Sequence, residues 1–193
     1  MHGAPSVPAG KRAFDFAVAV GLALPAAVLC LGAAVAIWFE DRANPFFVQR
    51  RLGRNGHVFS LIKLRTMRIG TGDLPSHETV RGSITRTGAI LRRTKLDELP
   101  QIWNVLRGEM SFVGPRPGLP TQYELAECRR RHGVDRLLPG ITGVAQVRGI
   151  DMSTPRYLAE VDATYVGHWS LRRDLRLLWR TGIGGGRGDP AAL

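Results

Sequence analysis

Only two cysteines occur in the 193 residues, Cys30 and Cys128, far apart and one of them inside an apolar run. That excludes a disulfide framework. With no clustering of histidine and cysteine, the chain also offers no zinc site. Acidic residues are scarce: 16 Asp and Glu stand against 27 Lys and Arg, a formal net charge of +11. Such a chain calls for an anionic partner. Nucleic acid, an anionic membrane surface and phosphorylated small molecules all satisfy that, and charge alone does not choose among them. No internal repeat is present. The length suffices for one sizeable core, hence one domain with an appendage.

The appendage is a long apolar run. Residues 17–39 carry no charge, and Lys11 and Arg12 precede them. As a straight helix the run measures about 35 Å, enough for a bilayer core. Trp38-Phe39-Glu40-Asp41 is no small-residue cleavage site, which argues against a signal peptide, and the length argues against a buried soluble helix. Pro25 lies well inside the run, where its missing N–H favours a kink. Basic residues flank both sides (Lys11 and Arg12, then Arg42, Arg50, Arg51 and Arg54), so the positive-inside rule places both ends in the cytoplasm. A helix bent at Pro25 that enters and leaves by one membrane face satisfies both facts. The expected organisation is a disordered N-terminus at 1–10, a re-entrant membrane helix at 11–42, a catalytic domain at 43–181 and a flexible tail at 182–193.

Within the domain, 45–51 and 58–67 read as strands rich in Phe, Val and Ile, with Gly53-Arg54-Asn55-Gly56 as the hairpin signal between them. Lys63 and Arg65, two apart, share a strand face. Residues 69–83 lack periodicity and read as a mobile loop over the site. A polar helix is expected at 123–132, a short strand at 144–147 and a helix at 155–169. At 171–180, Leu171, Leu175 and Leu178 fall on one side and Arg172, Arg173, Arg176 and Arg180 elsewhere, with Trp179 nearby. Such a helix suits the plane of an anionic membrane, and equally an ordinary docked position. The fold class is α+β: a small, mostly helical domain with a short β-hairpin, anchored by the N-terminal helix and by interfacial amphipathic helices.

The rest is organised around 94–117, TKLDELPQIWNVLRGEMSFVGPRP. Leu99, Ile102, Trp103 and Leu106 recur at the spacing of one buried helix face. Pro100 requires that this helix start close before it, and Gly108 is placed to end it. Asp97 and Glu98 then sit at a helix N-terminus, where negative charge is favoured. Thr94 and Asp97 also read as a capping box, which would make Asp97 a structural cap. Downstream, Gly114-Pro115-Arg116-Pro117 forms a stiff turn presenting one arginine. A carboxylate pair facing a rigid Arg116, with Arg92 and Arg93 just upstream, suits a reaction at a phosphate.

Three stretches together resemble the bacterial sugar transferase family, the monotopic polyprenol-phosphate phosphoglycosyl transferases: LDELPQIWNVLRGEMSFVGPRP at 96–117, KLRTM at 63–67 and LPGITGVAQVRG at 138–149. The charged then hydrophobic N-terminal segment fits as well, and the resemblance covers 11–180. It implies a re-entrant hairpin bending at Pro25, where the family commonly has Ser-Pro and this chain Leu24-Pro25. It implies that Asp97 attacks the β-phosphate of a UDP-sugar, releasing UMP, and that a polyprenol (undecaprenyl) phosphate then takes the phosphosugar at the cytoplasmic face of the membrane. Asp97 is then nucleophile and metal contact, with Glu98 its partner. Lys63, Arg92 and Arg116 match the family's phosphate-contacting positions. Val144 and Arg148 stand where the family typically has Trp and Asn, in a region that plausibly meets the nucleotide-sugar.

The chemistry agrees with those assignments on its own terms. Attack on a diphosphate must overcome repulsion between anions, which basic residues and a divalent metal relieve. Arg contacts phosphate through a planar fork, a carboxylate can act as nucleophile at phosphorus, and Mg²⁺ is the natural hard cation for a site of one or two carboxylates. The expected partners are UDP-sugar, polyprenol phosphate and membrane lipids, with no nucleic acid, and a homodimer is left open. Two rivals remain: a basic membrane-tethered binding module, and a glycosyltransferase that passes the sugar without its phosphate and releases UDP. The binding module leaves Asp97-Glu98 and the Pro115–Pro117 turn unexplained.

Overall fold

The computed structural model describes residues 8–70 and 83–184. The N-terminal end, most of the expected 69–83 loop and the C-terminal tail lie outside the described residues.

Helix α1, Ala9–Asp41, is one element with Pro25 inside it. By length and composition it could cross a membrane. Phe16, Leu22, Leu24, Val28, Leu31 and Phe39 are exposed along it, an apolar surface that water does not suit. Its inner face is narrow: Lys11, Asp15, Ala19, Ala26 and Ile37 are buried. The first half packs on α3 (Gln101–Arg107) and β3 (Ser111–Val113), where Arg12 donates to the carbonyls of Val105 and Leu106 at 2.7 and 3.1 Å. At the other end Ile37 packs with Leu64 and Leu91. Just beyond it, the Glu40 carboxylate accepts the N–H groups of Arg86 and Thr87 at 2.8 and 2.9 Å. Those are free donors in the first turn of α2, Arg86–Thr94. Both ends of α1 are therefore fastened to the same body.

Strands β1 (Phe46–Leu52) and β2 (Val58–Leu64) form the antiparallel hairpin, in register Phe46↔Leu64 to Leu52↔Val58. A 3₁₀ turn at Arg54–Gly56, with Asn55 at φ 55°, closes it. The sorting along β1 is reversed: Val48 faces out, while Gln49 and Arg51 are buried. A parallel pair, β3 with β4 (Gly140–Thr142), lies elsewhere in the domain. Gly140 and Gly114 pass so close that a Cβ on Gly140 would meet the Gly114 nitrogen at 2.1 Å. Helices α4 (Tyr123–Arg131), α5 (Val144–Val147), α6 (Pro155–Ala163) and α7 (Leu171–Gly182) complete the domain. Met110, Val105, Leu158 and Val113 centre the main core.

Several expectations change. Residues 144–147 are a helical turn, because β4 ends at Thr142 and the Gln146 side chain folds back to the Ile141 carbonyl. The 155–169 helix stops at Ala163, and Gly167 turns the chain at φ 70°. Along α7 the buried residues are Asp174 and Leu177, whereas Leu171, Leu175 and Trp179 form an exposed stripe. Trp103 is exposed although Ile102 beside it is buried, so the inner face of α3 is narrower than its spacing suggested.

Candidate active site

Helix α2 ends at Thr94, and Lys95 takes a left-handed conformation at φ 58°. One 3₁₀ turn, Leu96–Glu98, then precedes Pro100, the N-cap of α3. Asp97 and Glu98 thus stand on a tight turn between two helices. Asp97 caps nothing: neither this turn nor α3 has a side-chain cap. The Thr94 hydroxyl points backwards to the carbonyls of Ile90 and Leu91. The capping-box reading is therefore corrected. Its cause is the left-handed Lys95, which breaks the Thr94–Asp97 segment out of helical phase.

The tertiary structure brings all five sequence-selected polar residues together. Lys63 lies near the end of β2, its ammonium 5.0 Å from the centre of the Phe47 ring. Arg92 arrives from α2, its Nε donating to the Thr66 hydroxyl at 2.9 Å. Gly88 makes that approach possible, since a Cβ there would meet the Thr66 carbonyl oxygen at 2.1 Å. Arg116 arrives after β3, and its Nη1 donates to Glu98 Oε1 at 3.2 Å. Among the described residues, the Asp97 carboxylate accepts no hydrogen bond.

The groups perturb one another. Burial pushes the Asp97 carboxyl up to about 7, helped by the adjacent Glu98 charge and opposed by Lys63, Arg92 and Arg116. Burial pulls Lys63 down to about 8, with Arg51, Arg116 and Arg92 acting in the same direction and Asp97 against it. Two carboxylates among three cations make a site short of negative charge, suited to phosphate oxygens. Among the described residues no group of three or more His, Cys, Asp and Glu is placed to hold a metal ion. Mg²⁺ asks for less: one or two carboxylates plus water and substrate phosphates, which Asp97 and Glu98 fit.

Arg65 does not join the cluster; its Nε donates to the Asn44 carbonyl at the surface. Pro25 lies far along α1 from these residues in sequence. A recess of about 110 Å³ is lined by Leu52, Pro115, Pro117, Arg129, Asp135 and Leu137 and by none of the five. Sequence reasoning missed three contributors. Arg51 and Arg129 are buried arginines holding the Arg116 segment, and the Gln49-x-Arg51 spacing on one strand face was the only signal for the first. The sequence marks Lys11 as a membrane-flanking charge. It is instead buried, bonded to Asp174 at 2.6 Å and Asp15 at 3.3 Å.

The fold and site together combine an apolar helix long enough to cross a membrane, fastened at both ends to an α+β domain, with a carboxylate pair set among cations. The chain belongs to the bacterial sugar transferase family, whose model matches residues 7–184. It is 40% identical to the UDP-glucose:undecaprenyl-phosphate glucose-1-phosphate transferase of Caulobacter vibrioides, over 89% of this chain and 67% of that protein. It is 38% identical to the undecaprenyl-phosphate glucose phosphotransferase of Komagataeibacter xylinus, spanning 35% of that protein, and 33% identical to the exopolysaccharide production protein ExoY of Sinorhizobium fredii, spanning 83% of it. The chain thus spans about two thirds of the first relative and about a third of the second.

Proposed function

We propose that this chain transfers a phosphosugar from a UDP-sugar to a polyprenyl phosphate at the membrane surface, as the first membrane step of polysaccharide or other glycoconjugate synthesis. The observation that carries the reading is the Asp97 carboxylate, which accepts no hydrogen bond among the described residues and feels the charges of Lys63, Arg92 and Arg116. Relatives named for undecaprenyl phosphate and UDP-glucose support it, and make UDP-glucose the first donor to try.

In the proposed reaction an ionised Asp97 oxygen attacks the β-phosphorus of the donor. The bond from that phosphorus to the bridging oxygen breaks, and UMP leaves with the bridging oxygen. Arg116 and Arg92 hold phosphate oxygens through planar forks while Lys63 adds a point charge. The acceptor phosphate oxygen then attacks the aspartyl-linked phosphorus. The bond to Asp97 breaks, the carboxylate is restored, and a polyprenyl diphosphosugar forms. Glu98 can take a proton from a monoprotonated acceptor and keeps Arg116 in place meanwhile. Mg²⁺, held by Asp97 and Glu98, would neutralise diphosphate charge.

The attachment of both ends of α1 to one body supports a helix that enters and leaves by the same face, and basic residues after it, such as Arg42 and Arg50, favour the cytoplasmic side for the domain. A straight span would carry one end to the opposite side of the bilayer, away from its partner. In the test, membrane-embedded protein is incubated with UDP-glucose and Mg²⁺ in the absence of acceptor. A phosphosugar adduct on Asp97 and release of UMP are expected. With undecaprenyl phosphate added, release of UDP in place of UMP would assign simple glycosyl transfer instead, and the absence of either product across a panel of UDP-sugars would refute the enzymatic reading.

A further inference from the structure

Residues 114–118 read Gly-Pro-Arg-Pro-Gly. Pro115 and Pro117 have no N–H, so the segment cannot be held through alternating backbone donors as a strand is. Its carbonyls remain, and four in succession are taken by donors from outside. The Gly140 N–H donates to Pro115 O at 2.9 Å and the Leu52 N–H to Gly118 O at 2.8 Å. Between them, Arg129 Nη1 donates to Arg116 O at 2.7 Å and Arg51 Nη1 to Pro117 O at 3.0 Å. The outer two contacts are backbone; the inner two are buried guanidiniums from different elements, α4 and β1.

Each guanidinium is fixed in turn. Arg129 Nη2 donates to Asp162 Oδ2 on α6 at 2.7 Å, and Arg51 gives Nε and Nη2 to Gln49 Oε1 at 3.0 and 2.5 Å. Both arginines are more than nine-tenths buried. Burying charge is unfavourable unless it is well paired, and the reversed sorting of β1 exposes Val48 to bring Arg51 inside. A planar fork suits this work because it donates in two fixed directions at once, which an ammonium cannot reproduce. Neighbours in an extended segment point to opposite sides. Pro115 and Pro117 accordingly line the recess behind the turn while the Arg116 side chain reaches Glu98.

We infer that Arg51 and Arg129 are positioning residues that clamp the successive Arg116 and Pro117 carbonyls and so set the reach of the Arg116 guanidinium toward the Asp97–Glu98 pair. The inference rests on the proposed function for what Arg116 does there, whereas the clamp itself is geometric.

A double-mutant cycle tests it on the full chain in membranes, using UDP-glucose, Mg²⁺ and undecaprenyl phosphate with UMP release as readout. Arg51→Lys and Arg129→Lys keep the charge and lose the fork. Each is expected to lower kcat by about tenfold or more, in line with the cost of a small misplacement near a reacting centre. In an Arg116→Ala background the same substitutions should change the rate less than about twofold, because they act only through Arg116. Thermal melts establish that each variant folds. Should Arg129→Lys not fold, the Arg51→Lys arm and the paired variant Arg129→Gln/Asp162→Asn carry the cycle, the pair removing both buried charges together. Equal losses in both backgrounds would overturn the inference, as would folded lysine variants at wild-type rate. Failure of the functional reading looks different: wild type itself would release no UMP and form no adduct, and the inference would fall with it.

Discussion

Two carboxylate pairs in this chain meet cations, and they end in opposite conditions. Asp15 and Asp174 share Lys11 in the interior between α1 and α7, both wholly buried. Asp174 also accepts from the Tyr165 hydroxyl and from Trp169 Nε1 at 3.2 Å, and Asp15 takes the Phe112 N–H at 3.3 Å. Burial and then the Asp174 hydrogen bond push the Tyr165 hydroxyl far above its ordinary value, so it stays a donor. Asp97 and Glu98 meet three cations in a half-buried setting, yet Asp97 accepts no hydrogen bond among the described residues. In the first cluster both Asp174 oxygens are bonded from within, as is Asp15 Oδ1, while Asp15 Oδ2 finds no partner among the described residues; the cluster fastens the root of the membrane helix to the C-terminal helix. The second is left open, and a group that brings its own negative oxygens completes it. Hydrogen-bond saturation, more than charge or burial, separates a fastener from a site.

The sharpest way to break the comparison is Asp97→Asn. Turnover should fall by roughly 10⁴-fold or more, as when a nucleophile is removed, and the adduct should vanish from the mass spectrum of the intact protein. Normal turnover would remove Asp97 from the mechanism. Asp174→Ala should act on the other cluster and on the other observable. It leaves Lys11 buried without its closest partner, at a cost of roughly 3–5 kcal/mol, read as a large drop in the midpoint of thermal unfolding. An unchanged midpoint would mean the buried cluster does not fasten α1.

Arg116→Lys should lower turnover by about 10–100-fold with little change in unfolding temperature, since charge persists and the bidentate fork is lost. A wild-type rate would reduce that residue to a general basic contribution. The smallest effects are in pH. With the Asp97 carboxyl near 7, kcat/KM should decline below about pH 7, and Glu98→Gln should move that limb to lower pH by removing the neighbouring negative charge. The stability counterpart has a definite sign. Asp97 binds its proton more tightly folded than unfolded, so the fold weakens as pH rises from about 4 to about 7, and the loss levels off above that. Asp97→Asn should therefore melt higher than wild type at pH 8, with the gain shrinking as pH falls towards 4. A constant difference across that range would contradict the raised value.

Much of this site could be read before any fold was known. Asp97, Glu98, Arg116 and the turn around Pro115 and Pro117 lie within some twenty residues, and their residue types already state the chemistry. Lys63 and Arg92 carried only a pattern match, since nothing local distinguishes them from Arg65, which bonds the Asn44 carbonyl, and Arg93, which is exposed on α2. The helix ends at Gly108 and the Arg54–Gly56 turn were legible because glycine and asparagine accept the left-handed backbone that these places need. Trp103 was misread because spacing gives the direction of a helix face but not its width.

By itself the sequence determined what is local or compositional: an apolar helix with Pro25 inside it, a hairpin, helices at 123–132 and 171–180, a cationic chain and a carboxylate pair before α3. Only the tertiary structure decided which charges are spent and which are open. Lys11 and Arg12, read as flanking charges, are consumed by Asp174 and by the carbonyls of α3, while Glu40 closes the start of α2. The reason is that a charged side chain's role depends on its partners' distance and on how much water remains. Partners such as Lys11 and Asp174, 163 positions apart, meet only when the chain has folded.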